Sequence, residues 1–223
     1  MPSQNRPLIS RLWFQKGDTL DTPGDRARAM VHFHLVDHAY LRGLWHNEDE
    51  IAPGAWRSNQ PSPRRFDRFA RRGIKTVLNL RGENKNPHYL IEAEACARLG
   101  LTLINYPMAA RAALEPDRYL GLLDIFDTIE KPFVMHCKSG ADRAGLASAL
   151  YLIHVEGVAP RKARAMLSRR YVHLKQTKTG ILDHLLDCYI EAHDETGIAL
   201  RDWFETVYDR ETVRDGFTPR WSV

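Results

Sequence analysis

Apolar positions along the chain fall into two alternating patterns, short dense runs and helical stripes, and their order predicts the fold. Ile74–Leu80, Leu101–Tyr106 and Phe133–His136 are short runs rich in β-branched and aromatic residues, the signature of strands. Ala55–Ser58, after Pro53-Gly54, reads as a further short extended segment. Helical spacing predicts helices over 63–72, 87–99 and 116–129, each opened by a proline, the first two closed by Gly73 and Gly100. From Ala144 to His154 almost every residue is apolar, so this helix is expected at the centre of the molecule. Further helices are expected over 160–170, 178–194 and 197–210. Residues 25–45 predict an added N-terminal helix, with Met30, Phe33, Tyr40 and Leu44 near helical spacing, after an irregular arm over 1–24. Strands alternating with helices give an α/β fold: a central, mostly parallel sheet of four to five strands flanked by helices. One domain over 25–223 is expected, including C-terminal helices over 178–213.

Composition narrows the class. The 223 residues are 43% hydrophobic and 27% charged, enough for one sizeable core and unlike a disordered chain. A formal net charge of +4 suits anionic substrates or an anionic membrane surface; with no nucleic-acid-binding signature, it gives no case for DNA or RNA. The aromatic and basic character of 25–45 would suit peripheral membrane contact, although packing on the domain is the reading amphipathic helices usually satisfy. No run is long and apolar enough to span a bilayer, and three sparse cysteines form no disulfide framework, so a reducing, cytoplasmic setting is expected. Cys96 and Cys188 sit among apolar helical residues and read as core cysteines. His32, His34 and His38 lack the companion ligands of a metal site, and no metal or other cofactor is expected.

Chemistry concentrates in Val134-Met135-His136-Cys137-Lys138-Ser139-Gly140-Ala141-Asp142-Arg143-Ala144-Gly145. A strand ends at a cysteine, five residues intervene, an arginine follows, and a helix begins. Successive backbone N–H groups of such a loop converge on an anion, and the helix N-terminus adds positive potential. Gly140 permits the turn. Arg143 presents a planar fork matching two phosphate oxygens. A thiol in that field loses its proton more readily, and the thiolate is the reactive form.

The passage resembles the H-C-x5-R signature loop of the cysteine-dependent protein-tyrosine and dual-specificity phosphatases. Trp56-Arg57-Ser58-Asn59-Gln60-Pro61 and Gly73–Arg81 are similar to the opening of bacterial and fungal members, and the likeness spans roughly residues 50–190. The resemblance implies nucleophilic attack by Cys137 on phosphorus, a phosphocysteine intermediate, and its hydrolysis without a metal, with Arg143 and the loop amides gripping the oxygens. It places Lys138, Ser139, Gly140, Ala141, Ala144 and Gly145 around the substrate and gives His136 an orienting role.

Many relatives take the leaving-group proton from an aspartate about thirty residues before the cysteine, but Asn105–Arg111 contains no carboxylate. Asp142 is the first candidate instead, because Cys-x-x-Gly-x-Asp-Arg resembles the myotubularin-like loop; Asp117 is the second. Ala144 replaces the hydroxyl residue that relatives place after the arginine, and Ser139 is the candidate to compensate. Arg81 is a candidate for the pocket rim, Gln176 for positioning water, and Lys138 for a second anionic group. The implied substrates are phosphotyrosine or phosphoserine proteins, phosphoinositides, lipid phosphates or inositol phosphates. Two other classes stay open: a phosphate-binding pseudophosphatase and a rhodanese-type sulfurtransferase.

Overall fold

The structure, a computed structural model, describes residues 19–42 and 45–221. Five strands, β1 (Asp49–Ala52), β2 (Ala55–Ser58), β3 (Thr76–Asn79), β4 (Thr102–Asn105) and β5 (Phe133–His136), lie in the order β1-β2-β5-β3-β4. β1 pairs antiparallel with β2; every other pairing is parallel. This is the expected α/β sheet, with β1 added at one edge. β1 reads Asp49-Glu50-Ile51-Ala52, which gives no apolar run, and a two-sided buried pattern is not required of an edge strand.

Successive strand residues point to opposite faces. Val77 and Val134 pack with Phe66, Phe69, Ala95 and Cys96, residues of α3 (Pro63–Arg71) and α4 (Pro87–Leu99). Leu78, Phe133 and Met135 pack on the other face with α5 (Pro116–Thr128), α6 (Arg143–His154) and α8 (Ile181–Thr196). α6 is buried along nearly all its length, as its composition requires. The same core takes in Trp203 and Phe204 of α9 (Leu200–Thr206) and Val213 of α10 (Arg210–Asp215). Tyr119 stacks on Phe204 with ring centroids 4.6 Å apart. Each such ring withdraws enough apolar surface to contribute about 2–3 kcal/mol before entropy is counted.

The single N-terminal helix expected over 25–45 is three pieces. α1 (Pro23–Val31) opens with a capping box between Thr22 and Asp25, a π-helical turn covers His32–Val36, and α2 (Ala39–Arg42) follows. The break falls at His38, whose φ of +60° ends helical hydrogen bonding. Ala29 and Phe33 pack against Ile91 of α4, so this segment is seated on the domain. Leu44 and the first eighteen residues of the expected arm lie outside the described residues. The helix expected over 160–170 is only α7 (Pro160–Ala163) followed by two 3-10 turns, Arg164–Met166 and Arg169–Tyr171. The helix expected from 178 begins as a 3-10 turn, Lys178–Gly180, before α8. Among the described residues no helix is long and apolar enough to cross a membrane.

Candidate active site

Ser58, His136 and Asn79 stand level in the sheet register, so the chain leaves β2, β5 and β3 at one edge. This is the carboxyl end of the parallel strands, where open α/β sheets place their ligands. Cys137 directly follows β5 and is 1% exposed.

The loop from Cys137 to Arg143 is braced from outside. Gly140 has a φ of +73°, and a Cβ there would sit 2.7 Å from the backbone nitrogen of Asn59. Beneath it lies Arg57, wholly buried: Nη2 donates to the Gly140 carbonyl at 2.5 Å and Nη1 to the Met166 carbonyl at 2.9 Å. Its guanidinium stacks 3.6 Å above the Tyr171 ring. Burial pulls the Arg57 pKa down to about 10, with Tyr171 and Cys137 opposing. Asn47 Nδ2 donates to the carbonyls of Ser139 and Tyr171, each at 2.8 Å.

A buried polar chain holds the other end. His136 Nε2 meets Glu92 Oε1 at 2.5 Å, Gln60 Nε2 donates to Glu92 Oε2, and Arg81 Nη1 donates to Gln60 Oε1. Arg81 then bonds both oxygens of Asp37, which also lies 3.5 Å from Lys138 Nζ. His136 is thereby tied through Glu92 to this chain. Arg81, a candidate for the rim, has a side chain only 10% exposed and links the loop to the N-terminal segment. Lys138 remains half exposed at the mouth.

A cleft of about 520 Å³ opens over the loop. Lys138, Ser139, Asp142 and Arg143 line it from the loop, and His38, Tyr40 and Trp45 from the N-terminal side. Ala110, Arg111 and Thr179 complete it. Arg143 donates weakly to the Leu80 carbonyl at 3.4 Å, while its Nε is buried with no partner among the described residues, so the guanidinium keeps donor capacity.

Asp142 is the one carboxylate lining the cleft among the described residues. Its Oδ1 lies 2.7 Å from His173 Nδ1, and His173 Nε2 lies 2.6 Å from Asp183 Oδ2. Burial disfavours charge on this ring, but hydrogen bonds to Asp142 and Asp183 outweigh it and raise the His173 pKa to about 9.

Other candidates fall elsewhere. Asp117 is exposed in the first turn of α5, away from the cleft lining, where a carboxylate suits the helix dipole. Gln176 lines a separate cavity of about 390 Å³ beyond His173, so its expected role in positioning water does not match its place. Gly145 serves packing: a Cβ there would meet Leu167 Cδ2 at 2.7 Å and the Met166 carbonyl at 2.8 Å. Ala144 is wholly buried at the start of α6, and Ser139 Oγ accepts from the Ala141 amide at 3.3 Å. Cys96 is buried, which pushes its thiol up to about 12; Cys188 is only half-buried. No group of three or more His, Cys, Asp and Glu able to hold a metal occurs among the described residues. Arg57, Glu92, His173 and Asp183 were not singled out by sequence. The one available signal was a charged residue inside a short buried strand at Arg57.

The fold is that of solved phosphatases. The P. aeruginosa TpbA structure is 19% identical, covering 77% of this chain and 90% of that one, with a TM-score of 0.53. Tk-PTP in a mutant form is 19% identical over 67% and 97% of the two chains, at 0.52. The core catalytic domain of the PP-IP phosphatase SIW14 from S. cerevisiae is 15% identical over 68% and 93%, at 0.51. At these identities the likeness establishes architecture. No curated protein matches the sequence. The family model described as DSP-PTPase phosphatase fused to NAD+ kinase matches residues 26–181, which takes in the N-terminal segment that the sequence resemblance had left outside. The chain belongs to that family and is a cysteine-dependent phosphatase of the protein-tyrosine/dual-specificity type.

Proposed function

We propose that this phosphatase hydrolyses phosphomonoesters through a phosphocysteine intermediate, on a substrate whose head group carries more than one anionic group, of the phosphoinositide or inositol-phosphate class. The single observation that carries the substrate class is the cationic lining of the cleft: Lys138, Arg111 and Arg143 stand on it together with His38. One guanidinium suffices for the reacting phosphate; the additional cations suit a second one. In the first step Cys137 sulfur forms a bond to phosphorus as the bond to the leaving oxygen breaks, and Asp142 gives that oxygen a proton. In the second, the oxygen of a water molecule bonds to phosphorus as the sulfur–phosphorus bond breaks, releasing phosphate and the Cys137 thiolate, and the water's proton goes to Asp142. Arg143 and the loop amides hold the equatorial oxygens throughout.

A phosphotyrosyl substrate is the second reading, favoured by the aromatic rings of Tyr40 and Trp45 on the same cleft. The TpbA relative is also solved with phosphotyrosine, and SIW14 is a PP-IP phosphatase.

Phosphate release across inositol phosphates, phosphoinositides, phosphotyrosine and phosphoserine peptides separates these readings. Phosphoinositides belong in the panel both as soluble head groups and in anionic vesicles, because Met30, Leu35 and Tyr40 expose apolar surface on the segment bordering the cleft. NADP+ belongs there too, since the family is described by its fusion to NAD+ kinase. Activity abolished by Cys137→Ser is expected. A preference for singly phosphorylated peptides over every polyphosphorylated substrate would refute the head-group assignment.

A further inference from the structure

We propose that His173 is a positioning residue for the acid step, holding the proton that Asp142 passes to the leaving oxygen. The inference rests on Asp142 being that acid.

The geometry is a three-member chain leading out of the cleft. Asp142 lines the cleft and shares a 2.7 Å contact with His173 Nδ1; Asp183 shares a 2.6 Å contact with Nε2. The His173 side chain is 1% exposed. A carboxylate at each ring nitrogen is satisfied only when both nitrogens donate, which the imidazolium alone can do. Asp183, itself buried, is in turn 3.8 Å from Arg164, whose Nε and Nη2 bond Asp187. Arg164, Arg169 and Lys175 line the cavity beyond the ring, and Arg143 adjoins Asp142 on the cleft side.

This arrangement answers a chemical difficulty. A lone carboxylic acid near its ordinary pKa of about 4 keeps its proton in roughly one molecule in a thousand at pH 7. A carboxylate coupled to an imidazolium stores one proton across neutral pH. As the phosphorus–oxygen bond breaks, the Nδ1 proton of His173 passes to the Asp142 carboxylate and from it to the leaving oxygen, so Asp142 ends the step as the carboxylate it began as. The ring is left neutral, still donating through Nε2 to Asp183. In the second step the attacking water's proton goes to Asp142 and on to Nδ1, restoring the cation. No oxidant, reductant or additional acid is needed.

The test compares an alkyl phosphate, whose leaving group demands a proton, with nitrophenyl phosphate, whose leaving group does not. His173→Gln should lower kcat on the alkyl ester about tenfold to a hundredfold more than on the nitrophenyl ester, within the range that general acids contribute. The wild type should lose alkyl-ester activity as pH rises through about 9, where the imidazolium gives up its proton. Asp183→Asn keeps the ring in place but removes one stabilising charge, so this alkaline limb should move to lower pH. Equal losses on both esters in His173→Gln, or an alkaline limb unmoved by Asp183→Asn, would overturn the proposal. If His173→Gln fails to fold, the Asp183→Asn profile decides alone. Asp142→Asn separates the levels: full alkyl-ester activity in that variant removes the acid assignment itself, whereas loss there with normal activity in His173→Gln removes only the relay.

Discussion

Gly140→Ala is the substitution whose consequence can be worked most directly. The residue sits at a φ of +73°, and the added Cβ would lie 2.7 Å from Asn59 N, 2.8 Å from Asn47 Cβ and 2.9 Å from the Ser58 carbonyl carbon. None of these neighbours yields easily. Ser58 is registered against His136 in the sheet, Asn59 N donates to the His46 carbonyl at 2.8 Å, and Asn47 is tied to Ser139 and Tyr171. The left-handed conformation costs an alanine about 1–2 kcal/mol. Overpacking against backbone adds about 1–3 kcal/mol. Together they predict a loss of roughly 2–5 kcal/mol, less a few tenths for the stiffer unfolded chain. Gly73→Ala is the control: its φ is +79°, yet no atom of the described residues lies within 4 Å of the added Cβ, so only the conformational cost of about 1–2 kcal/mol applies. Urea unfolding of both variants isolates the steric part as their difference. Because the displaced atoms are those bracing the cysteine loop, kcat/KM on any substrate should fall about a hundredfold in Gly140→Ala and stay near wild type in Gly73→Ala. Equal stabilities for the two variants, with undiminished turnover in both, would refute the account of the loop as a fixed, sterically enclosed turn.

Three further outcomes follow from the buried groups. Arg57→Met removes two carbonyl bonds and the stack on Tyr171 but also relieves a buried charge, so denaturation should show a net loss of only about 1–3 kcal/mol while kcat/KM falls at least about tenfold; a folded variant with full turnover would contradict this. Trp203→Ala should cost about 3–5 kcal/mol in the same assay, since the ring is 3% exposed and packs on Tyr189, Phe204 and Tyr208; a cost under about 1 kcal/mol would separate α9 from the core. His173 has a pKa raised from 6.5 to about 9, so its stabilising contribution is full below the unfolded value and is lost as pH rises through about 9. Melting temperature should therefore fall over that window, by the equivalent of about 3 kcal/mol, and His173→Gln should flatten the slope; Cys96, raised from 9.0 to about 12, acts only at higher pH.

The parts legible in the sequence are those whose cause is local. β5, the cysteine loop and α6 could be read because an apolar strand, a glycine turn and an apolar helix follow one another within twenty-two residues, Phe133 to His154. α4 and α5 were likewise framed by Pro87, Gly100 and Pro116. What was missed depends on distant partners. The helix expected over 160–170 stops early: the Met166 carbonyl accepts from Arg57, more than a hundred residues away, and the turn presses against Gly145. Nothing near Met166 announces that contact. The break at His38 carries no glycine or proline. Glu92, His173 and Asp183 reach the loop from α4, a connecting turn and α8, so no spacing along the chain links them to Cys137. Asp142 could be singled out through the resemblance of its loop, but its histidine partner could not.

Two buried polar chains grip the loop, His136–Glu92–Gln60–Arg81–Asp37 at its start and Asp142–His173–Asp183 at its end. Apolar packing of the same volume would in general cost less, because every charged group withdrawn from water carries a desolvation penalty. The use of such chains is better explained by geometry than by stability. A loop whose amides converge on an anion has its N–H dipoles pointing together, an arrangement that relaxes when the anion leaves unless something outside opposes it. Directional bonds to fixed side chains supply that opposition, which undirected apolar contacts do not, and they keep the donors aimed before charge develops on the substrate. The first chain ends on Asp37, beside Lys138 and next to His38 on the cleft wall. The segment that shapes the mouth of the cleft is thus joined, by a chain of five side chains from Asp37 to His136, to the residue preceding Cys137, so a change at Asp37 is expected to alter turnover as well as substrate preference.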